Sequence, residues 1–412
     1  MDKRFYASGR GGRFLTLVLF AGALLAGCAA SRSGPRSGLD VLQDEGFARL
    51  RGKRVAVITN PTGVDGALRS IVDLLTAAPD VRLVAILGPE HGARGASAAG
   101  EAVGDDRDRR TGVPVYSLYG KVRRPTREML AGVDVLLFDI QDIGVRAYTY
   151  LATLTEALQA ARDSGIELWV LDRPVPIGGD IVEGPVLEAG FESFVGPHQV
   201  ALRHGLTAGE FALMVNEERG IGARLLVIQA EGWRRDALAS GPGAVWIAPS
   251  PNIPDLDTAI AYAGTVLIEG TNLSEGRGTT RPFRLVGAPW CDGDRVASDL
   301  NARRLPGCLF RPVTFVPWDS KHDGEPCGGV ELHITDRRAF RAVTAAVHLI
   351  ETIRLLHPGK LEIRPATFDR LAGTSSLREA RERGAPAEEI VEGWRQEVEG
   401  YLARRFRFLL YR

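Results

Sequence analysis

The residues best suited to chemistry in this chain are acids held in short loops bounded by glycine and proline. Glu90 stands in Gly88-Pro89-Glu90-His91-Gly92, where proline fixes one backbone angle and the glycines permit a tight turn. A carboxyl group so placed projects at a fixed angle. Glu101, Asp142, Asp172 and Glu183 fall near comparable strand-to-loop borders. Two carboxyl groups facing one substrate are the apparatus of glycoside hydrolysis. One is kept protonated by burial or like charge, and the other stays ionised as nucleophile, base or stabiliser. Asn60, His91, Tyr119, Gln141, Arg146, Tyr148 and Arg173 gather in the same set of loops. They serve either as substrate contacts or as helix caps and loop ties. Tyr119, Tyr148 and Trp246 offer rings that stack on a sugar face or simply pack.

A second polar cluster runs from Glu269 to Pro282 and includes Asn272, Glu275, Arg277 and Arg281. So many small and polar residues after an apolar run suit a loop facing a cleft. Arg277 or Arg281 there either clamps a substrate carboxylate through paired hydrogen bonds or bridges two domains. Other chemistries lack their motifs. No G-x-G-x-x-G follows a strand and no phosphate-loop motif occurs. Gly95-Ala96-Ser97-Ala98-Ala99 lacks the last glycine of a nucleophile elbow. Glu90 and His91 are adjacent, so on a strand they diverge, and there is no H-E-x-x-H; no metal or other cofactor is expected. Lys+Arg 51 against Asp+Glu 51 gives no net charge, which argues against nucleic acid as a partner. Hydrophobic residues at 45% and charged residues at 25% exclude a disordered or polytopic membrane chain.

The elements that must position these groups alternate. Candidate strands are Arg54–Thr59, Arg82–Leu87, Pro114–Ser117, Asp134–Asp139 and Ile166–Leu171. They are continuous runs of Val, Ile and Leu, as in strands covered on both faces. Helical spacing occupies Leu68–Ala78 and Leu151–Asp163 between them. Strand–helix–strand repetition predicts an α/β fold with a Rossmann-like parallel sheet, whose ligands bind at the carboxyl ends of the strands. The stretch Leu226–Asp257 is rich in Gly, Pro and Trp and reads as a long connection. Beyond it, strand-like Thr265–Glu269, Leu309–Phe315 and Gly329–Ile334 and helical Arg338–Leu356 and Ala387–Arg404 predict a smaller α+β C-terminal domain. The expected boundaries are residues 41–250 for the catalytic domain and 251–412 for the auxiliary one.

The N-terminus reads as an address. Lys3, Arg4, Arg10 and Arg13 precede an apolar run from Phe14 to Leu25 that is too short to span a bilayer. It ends in Leu25-Ala26-Gly27-Cys28, the pattern of a bacterial lipobox. Residues 1–28 are expected to be a lipoprotein signal peptide with Cys28 acylated, and residues 29–40 a flexible tether. The expected location is the cell envelope, at the outer membrane facing the periplasm, with the lipid as the sole membrane contact. Cys291, Cys308 and Cys327 then remain, either as one disulfide and a thiol or as three buried thiols.

Long collinear strings carry a resemblance: KRVAVITNPTGVD, LVAILGPEHGARG, PVYSLYGKVRRPT, VDVLLFDIQDIGVRAYTY, WVLDRPVPIGGDIVEGPVLE, SPNIPDLDTAIAYAGTVLIEGTNLSEGRGTTRPF, CGGVELHITD and FDRLAGT. From about Gly38 to the C-terminus the chain resembles the bacterial exo-acting β-N-acetylmuramidases. The resemblance implies a Rossmann-like domain with the active site, a smaller C-terminal domain across a cleft, and no nucleotide or metal. It implies removal of N-acetylmuramic acid from the non-reducing end of peptidoglycan fragments, with Glu90 as the leading catalytic residue. Val175 stands where the family often carries Asn. The second catalytic group is left open among Asp142, Glu183, Glu275 and the substrate's own 2-acetamido group. The lactyl carboxylate of the sugar suits an arginine, with Arg146, Arg173 and Arg277 as candidates. The alternative is a lipoprotein that binds such fragments without cleaving them.

Overall fold

Alternation along each central strand divides the interior in two. Ala56 and Ile58 of strand β1 (Arg54–Thr59) face one apolar cluster, and Val55 and Val57 face another. The same split occurs in β2 (Arg82–Gly88), where Ala85 and Leu87 oppose Ile86, and in β5 (Val135–Asp139), where Leu136 and Phe138 oppose Val135 and Leu137. Each Val, Ile, Leu or Phe among them contributes about 1.5–3 kcal/mol on burial, so these strands can only be central. The structure is a computed structural model that describes residues 34–90, 92–94, 106–240 and 244–412. The signal peptide, Cys28, His91 and Glu101 lie outside the described residues.

β3 (Asp106–Arg107), β4 (Pro114–Ser117), β6 (Glu167–Leu171) and β9 (Arg224–Ile228) complete a seven-stranded sheet of order β3-β4-β2-β1-β5-β6-β9. Six strands are parallel, and only β3 runs against its neighbour. Helices α1 (Gly38–Asp44), α2 (Ile71–Ala77), α3 (Tyr150–Ser164) and α4 (Ala208–Glu218) flank it, and a hairpin of β7 (Glu183–Val186) and β8 (Ala201–Arg203) follows β6. The first five expected strands are present within a residue or so at each end. β9 falls at the start of the stretch read as a connection.

The second half holds α5 (Leu256–Thr265), β10 (Leu285–Ala288), α6 (Gly293–Ala302), β11 (Cys308–Phe315), β12 (Cys327–Ile334) and α7 (Ala342–Leu356). The helices α8 (Pro365–Ala372), α9 (Ser376–Glu382), α10 (Ala387–Gly393) and α11 (Arg395–Arg405) close the chain. Its three strands form an antiparallel sheet of order β10-β12-β11. Thr265–Glu269 is not a strand: α5 runs directly into a 3-10 turn at Val266–Gly270. A short apolar run fits a buried helix as well as a strand, and the apolar residues that continue from α5 decide for helix. The expected long helix at Ala387–Arg404 is broken at Trp394 into α10 and α11. The larger apolar cluster is shared by both halves, from Ile58 of β1 to Phe368 of α8.

From Gly34 the chain belongs to the fold and is not a free tether. Arg36 pairs with Glu231 across a β-bridge, and Ser37 caps α1 while Asp40 returns the bond to the Ser37 backbone. Gly38 is obligatory there, since a Cβ would lie 2.3 Å from the Ile228 carbonyl. Cys291, Cys308 and Cys327 are free buried thiols.

Candidate active site

Glu90 is fixed by the turn that follows β2. Gly88 has no room for a side chain, because a Cβ would meet the Ala93 nitrogen at 2.6 Å. The turn closes with the Gly92 amide donating to the Pro89 carbonyl at 2.9 Å, and Gly92 takes a φ of 75°. Glu90 therefore projects from the carboxyl edge of the sheet toward the start of α3. There Thr149, the N-cap of α3, makes no capping bond with its side chain. Its hydroxyl instead donates to Glu90 Oε2 at 2.9 Å. The Tyr119 hydroxyl also meets Glu90; burial first, then this carboxylate, push the phenol's pKa up and keep it a donor. The positive end of a 15-residue helix thus abuts an acid with two hydroxyl partners.

Glu90, Tyr119 and Ala147–Tyr150 line a cavity of about 190 Å³. Ser250, Asn252, Ile253, Tyr262, Glu269, Arg277, Phe283 and Leu371 are also in its lining. The aromatic members interlock edge to face. Ring centroids are 4.9 Å apart for Tyr148–Tyr150, 5.9 Å for Tyr148–Tyr262 and 4.7 Å for Tyr262–Phe283. Such geometry fixes rings rigidly. Tyr150 is anchored further, receiving a bond from Asn60 Nδ2 at 2.8 Å and donating to the Pro249 carbonyl. Burial drives the phenols of Tyr148 and Tyr262 well above their ordinary range, so both stay neutral.

In the same lining, the Arg277 guanidinium lies over the Phe283 ring at 5.1 Å. It is shared by two carboxylates: Nη2 donates to Glu269 Oε1 at 3.2 Å, and Nε lies 3.2 Å from Glu275 Oε1. Glu275 is buried beneath, with Lys321 Nζ 2.8 Å from its other oxygen. Glu269 opens to the cavity, with 27% of its side chain exposed. Crowding by protein raises its pKa, and Arg277 opposes that shift. Two carboxyl groups, Glu90 and Glu269, therefore line one hollow with a cation beside the second.

Several residues expected at the substrate are elsewhere. Arg146 is fully buried, and its two terminal nitrogens donate to the carbonyls of Pro185, Val200, Leu371 and Ala372 at 2.5–3.1 Å. Asp172 is sealed off, accepting from Thr207, Tyr411 and the Gly209 amide. Glu183 pairs with Arg203 at 3.2 Å and accepts from the Ala342 amide. Arg173 holds Asp139 at 2.6 Å and the Val64 carbonyl. Asn272 ties its loop to the carbonyl of Lys360 and the amide of Glu362. Asp142 accepts from the Gly144 amide and is not in the lining. Gln141 spans the carbonyls of Asp142 and Pro174.

One physical reason covers Arg173 and Gln141. Strand order reverses between β1 and β5, where an open sheet leaves a crevice for ligand. Here protein fills it: Asn60 bonds Thr62, Thr62 Oγ1 takes the Gln141 amide, and Arg173 covers Asp139. The hollow that remains lies beyond the end of β2. Tyr262, Phe283 and Leu371 were missed because in sequence they are indistinguishable from core residues. Ser250 and Asn252 sit in the Pro249–Pro254 segment, whose density of proline was the available signal.

Comparison with known proteins agrees over the length of the chain. Residues 55–257 match the family model described as exo-beta-N-acetylmuramidase NamZ, N-terminal, and residues 260–411 its C-terminal counterpart. A peptidoglycan beta-N-acetylmuramidase NamZ of Bacillus subtilis (strain 168) is 43% identical over 407 residues, covering 97% of this chain and 98% of that one. Two crystal structures of DUF1343 family proteins from Bacteroides fragilis superpose with TM-scores of 0.86 and 0.76, at 38% and 31% identity. Each match covers 92% of this chain and 99% of the other. With both halves matched in order, and a turn-held glutamate in the lining of an aromatic hollow, the chain belongs to the exo-β-N-acetylmuramidase NamZ family.

Proposed function

We infer that this protein is an exo-acting glycoside hydrolase that releases N-acetylmuramic acid from the non-reducing ends of peptidoglycan fragments. The observation that carries the reading is the cavity itself. It has room for little more than one sugar, about 190 Å³, and presents Glu90 and Glu269 to the same contents. A hollow walled by interlocked rings accepts a chain end and not a chain middle. Glu90 is assigned the acid/base role at the glycosidic oxygen. Glu269 is the second carboxyl group of the lining, in place of Asp142, Glu183 and Glu275, which lie outside it, and the substrate's own 2-acetamido group is assigned as the nucleophile, so Glu269 need not stay ionised in the complex. Arg277 supplies the charge that a lactyl carboxylate requires. The rings of Tyr148 and Tyr262 supply the apolar face that a pyranose covers.

The decisive experiment is incubation with the disaccharide of N-acetylmuramic acid linked to N-acetylglucosamine. Free N-acetylmuramic acid in the mass spectrum is the expected product. Binding without release would instead favour a receptor for wall fragments. Attachment to the envelope through an acylated Cys28 is part of the same proposal, supported by the charged, apolar and small-residue order of residues 3–28. Fatty-acid labelling that survives Cys28→Ser would refute it.

A further inference from the structure

Among the described residues Arg277 is the only cation in the cavity lining, and it is already shared. Its partners Glu269 and Glu275 carry two negative charges, and Arg277 and Lys321 carry two positive ones. Glu275 is not free to leave. It is buried, and it is held by Lys321 at 2.8 Å, by the Ser320 hydroxyl at 3.3 Å and by Arg277 itself. Lys321 is in turn fixed by the carbonyls of Ile268 and Thr271. Among the described residues Glu269 has Arg277 as its one ion-pair partner, and it faces the cavity. The nest is therefore neutral before substrate arrives, and an anionic sugar brings one charge too many.

Resting on the function proposed above, we propose that Glu269 is a proton-linked selector. The carboxylate of the incoming sugar takes Arg277, and Glu269 takes up a proton from solvent as it is released. No other group near Arg277 can do this at comparable cost. Glu275 is held by three partners, and Tyr262 is a phenol that is already neutral. Arg364, whose charge reaches Lys321 from the α8 side, is a guanidinium and offers no carboxylate to protonate. Glu90 and Tyr119 are bonded to each other. The crowding that already favours the neutral form of Glu269 works in the same direction. The proton balance is simple: one proton leaves the buffer and one carboxylate becomes a carboxylic acid. A sugar lacking the lactyl group leaves the Arg277–Glu269 pair intact and needs no proton.

Titration calorimetry of the full chain with N-acetylmuramic acid, in two buffers of different ionisation enthalpy near neutral pH, tests this. Wild-type protein should take up close to one proton per sugar bound. Its affinity should fall by up to about tenfold per pH unit once free Glu269 is ionised. N-acetylglucosamine and the methyl ester of N-acetylmuramic acid should bind with no uptake. Glu269→Gln should bind N-acetylmuramic acid with no uptake and with an affinity independent of pH. Equal heats in both buffers for wild-type protein, no binding of N-acetylmuramic acid, or uptake that persists in Glu269→Gln would overturn the proposal. The ester comparison uses wild-type protein and stands even if the variant does not fold. Hydrolysis of the disaccharide without proton uptake would sink this inference alone; no hydrolysis would sink the function on which it rests.

Discussion

Glu90→Gln removes one titrating group and almost no volume. The amide keeps an oxygen to accept the Thr149 hydroxyl, which now donates to Oε2 at 2.9 Å. Exchanging a charged acceptor for a neutral one at a half-buried site costs about 1 kcal/mol, so the fold should persist. The chemical loss is larger. Without a proton to deliver to the departing oxygen, kcat should drop about 10²–10⁴-fold, or about 3–5 kcal/mol of barrier. KM should move little, because the Tyr148–Tyr262–Phe283 wall and Arg277 are untouched. Steady-state kinetics on two substrates sharpens the test. On the natural disaccharide the leaving oxygen is a poor leaving group and needs protonation. On a nitrophenyl glycoside of N-acetylmuramic acid it does not, so the loss there should be much smaller. A variant that folds and turns over the disaccharide within tenfold of wild type would refute the acid role of Glu90.

Arg146→Met should destabilise the protein by about 3–5 kcal/mol in chemical denaturation, since it strands four buried carbonyls at once. Burial raises the Asp172 carboxyl to about 6, so the folded state binds its proton more tightly than the unfolded chain. Its contribution to stability is therefore largest below pH 4 and is lost as pH rises toward 6, by roughly 3 kcal/mol. Asp172→Asn should remove that slope from the unfolding free energy, whatever its effect on the absolute value. Burial lifts the thiols of Cys291 to about 12 and of Cys308 and Cys327 to about 11. All three should resist a thiol reagent in native protein at neutral pH and react on unfolding; rapid native labelling of any of them would contradict the packing.

The parallel sheet was legible because strands buried on both faces must be written as unbroken apolar runs. The Glu90 turn was legible because glycine and proline punctuate it. The other strand-end polar residues were not, and Arg146 shows why. Sequence says that an arginine follows a strand, but not whether it reaches a hollow or a neighbour's carbonyls. Arg173, Asp172 and Glu183 fail in the same way, each consumed by a partner 34, 35 or 20 residues distant in the chain. Glu269 was read at the end of a strand, yet it lies in a 3-10 turn whose register sets its side chain beside Arg277. The second half was harder because α5 and its neighbours are apolar all round, so no face distinguished cavity from core.

The four acceptors of Arg146 are all main-chain oxygens, and main chain has no identity to mutate. Pro185, Val200, Leu371 and Ala372 can drift without costing the strut a single bond, whereas Arg146 can drift to nothing, since no other side chain offers that fork. Gly373 shares its fate: at a φ of 75° a methyl there would sit 2.6 Å from the guanidinium. Two positions 227 apart in the chain are thus bound to change together or not at all. Because Leu371 is also part of the wall around the sugar, the shape of the socket is inherited through this one cation rather than through the residues that a substrate touches.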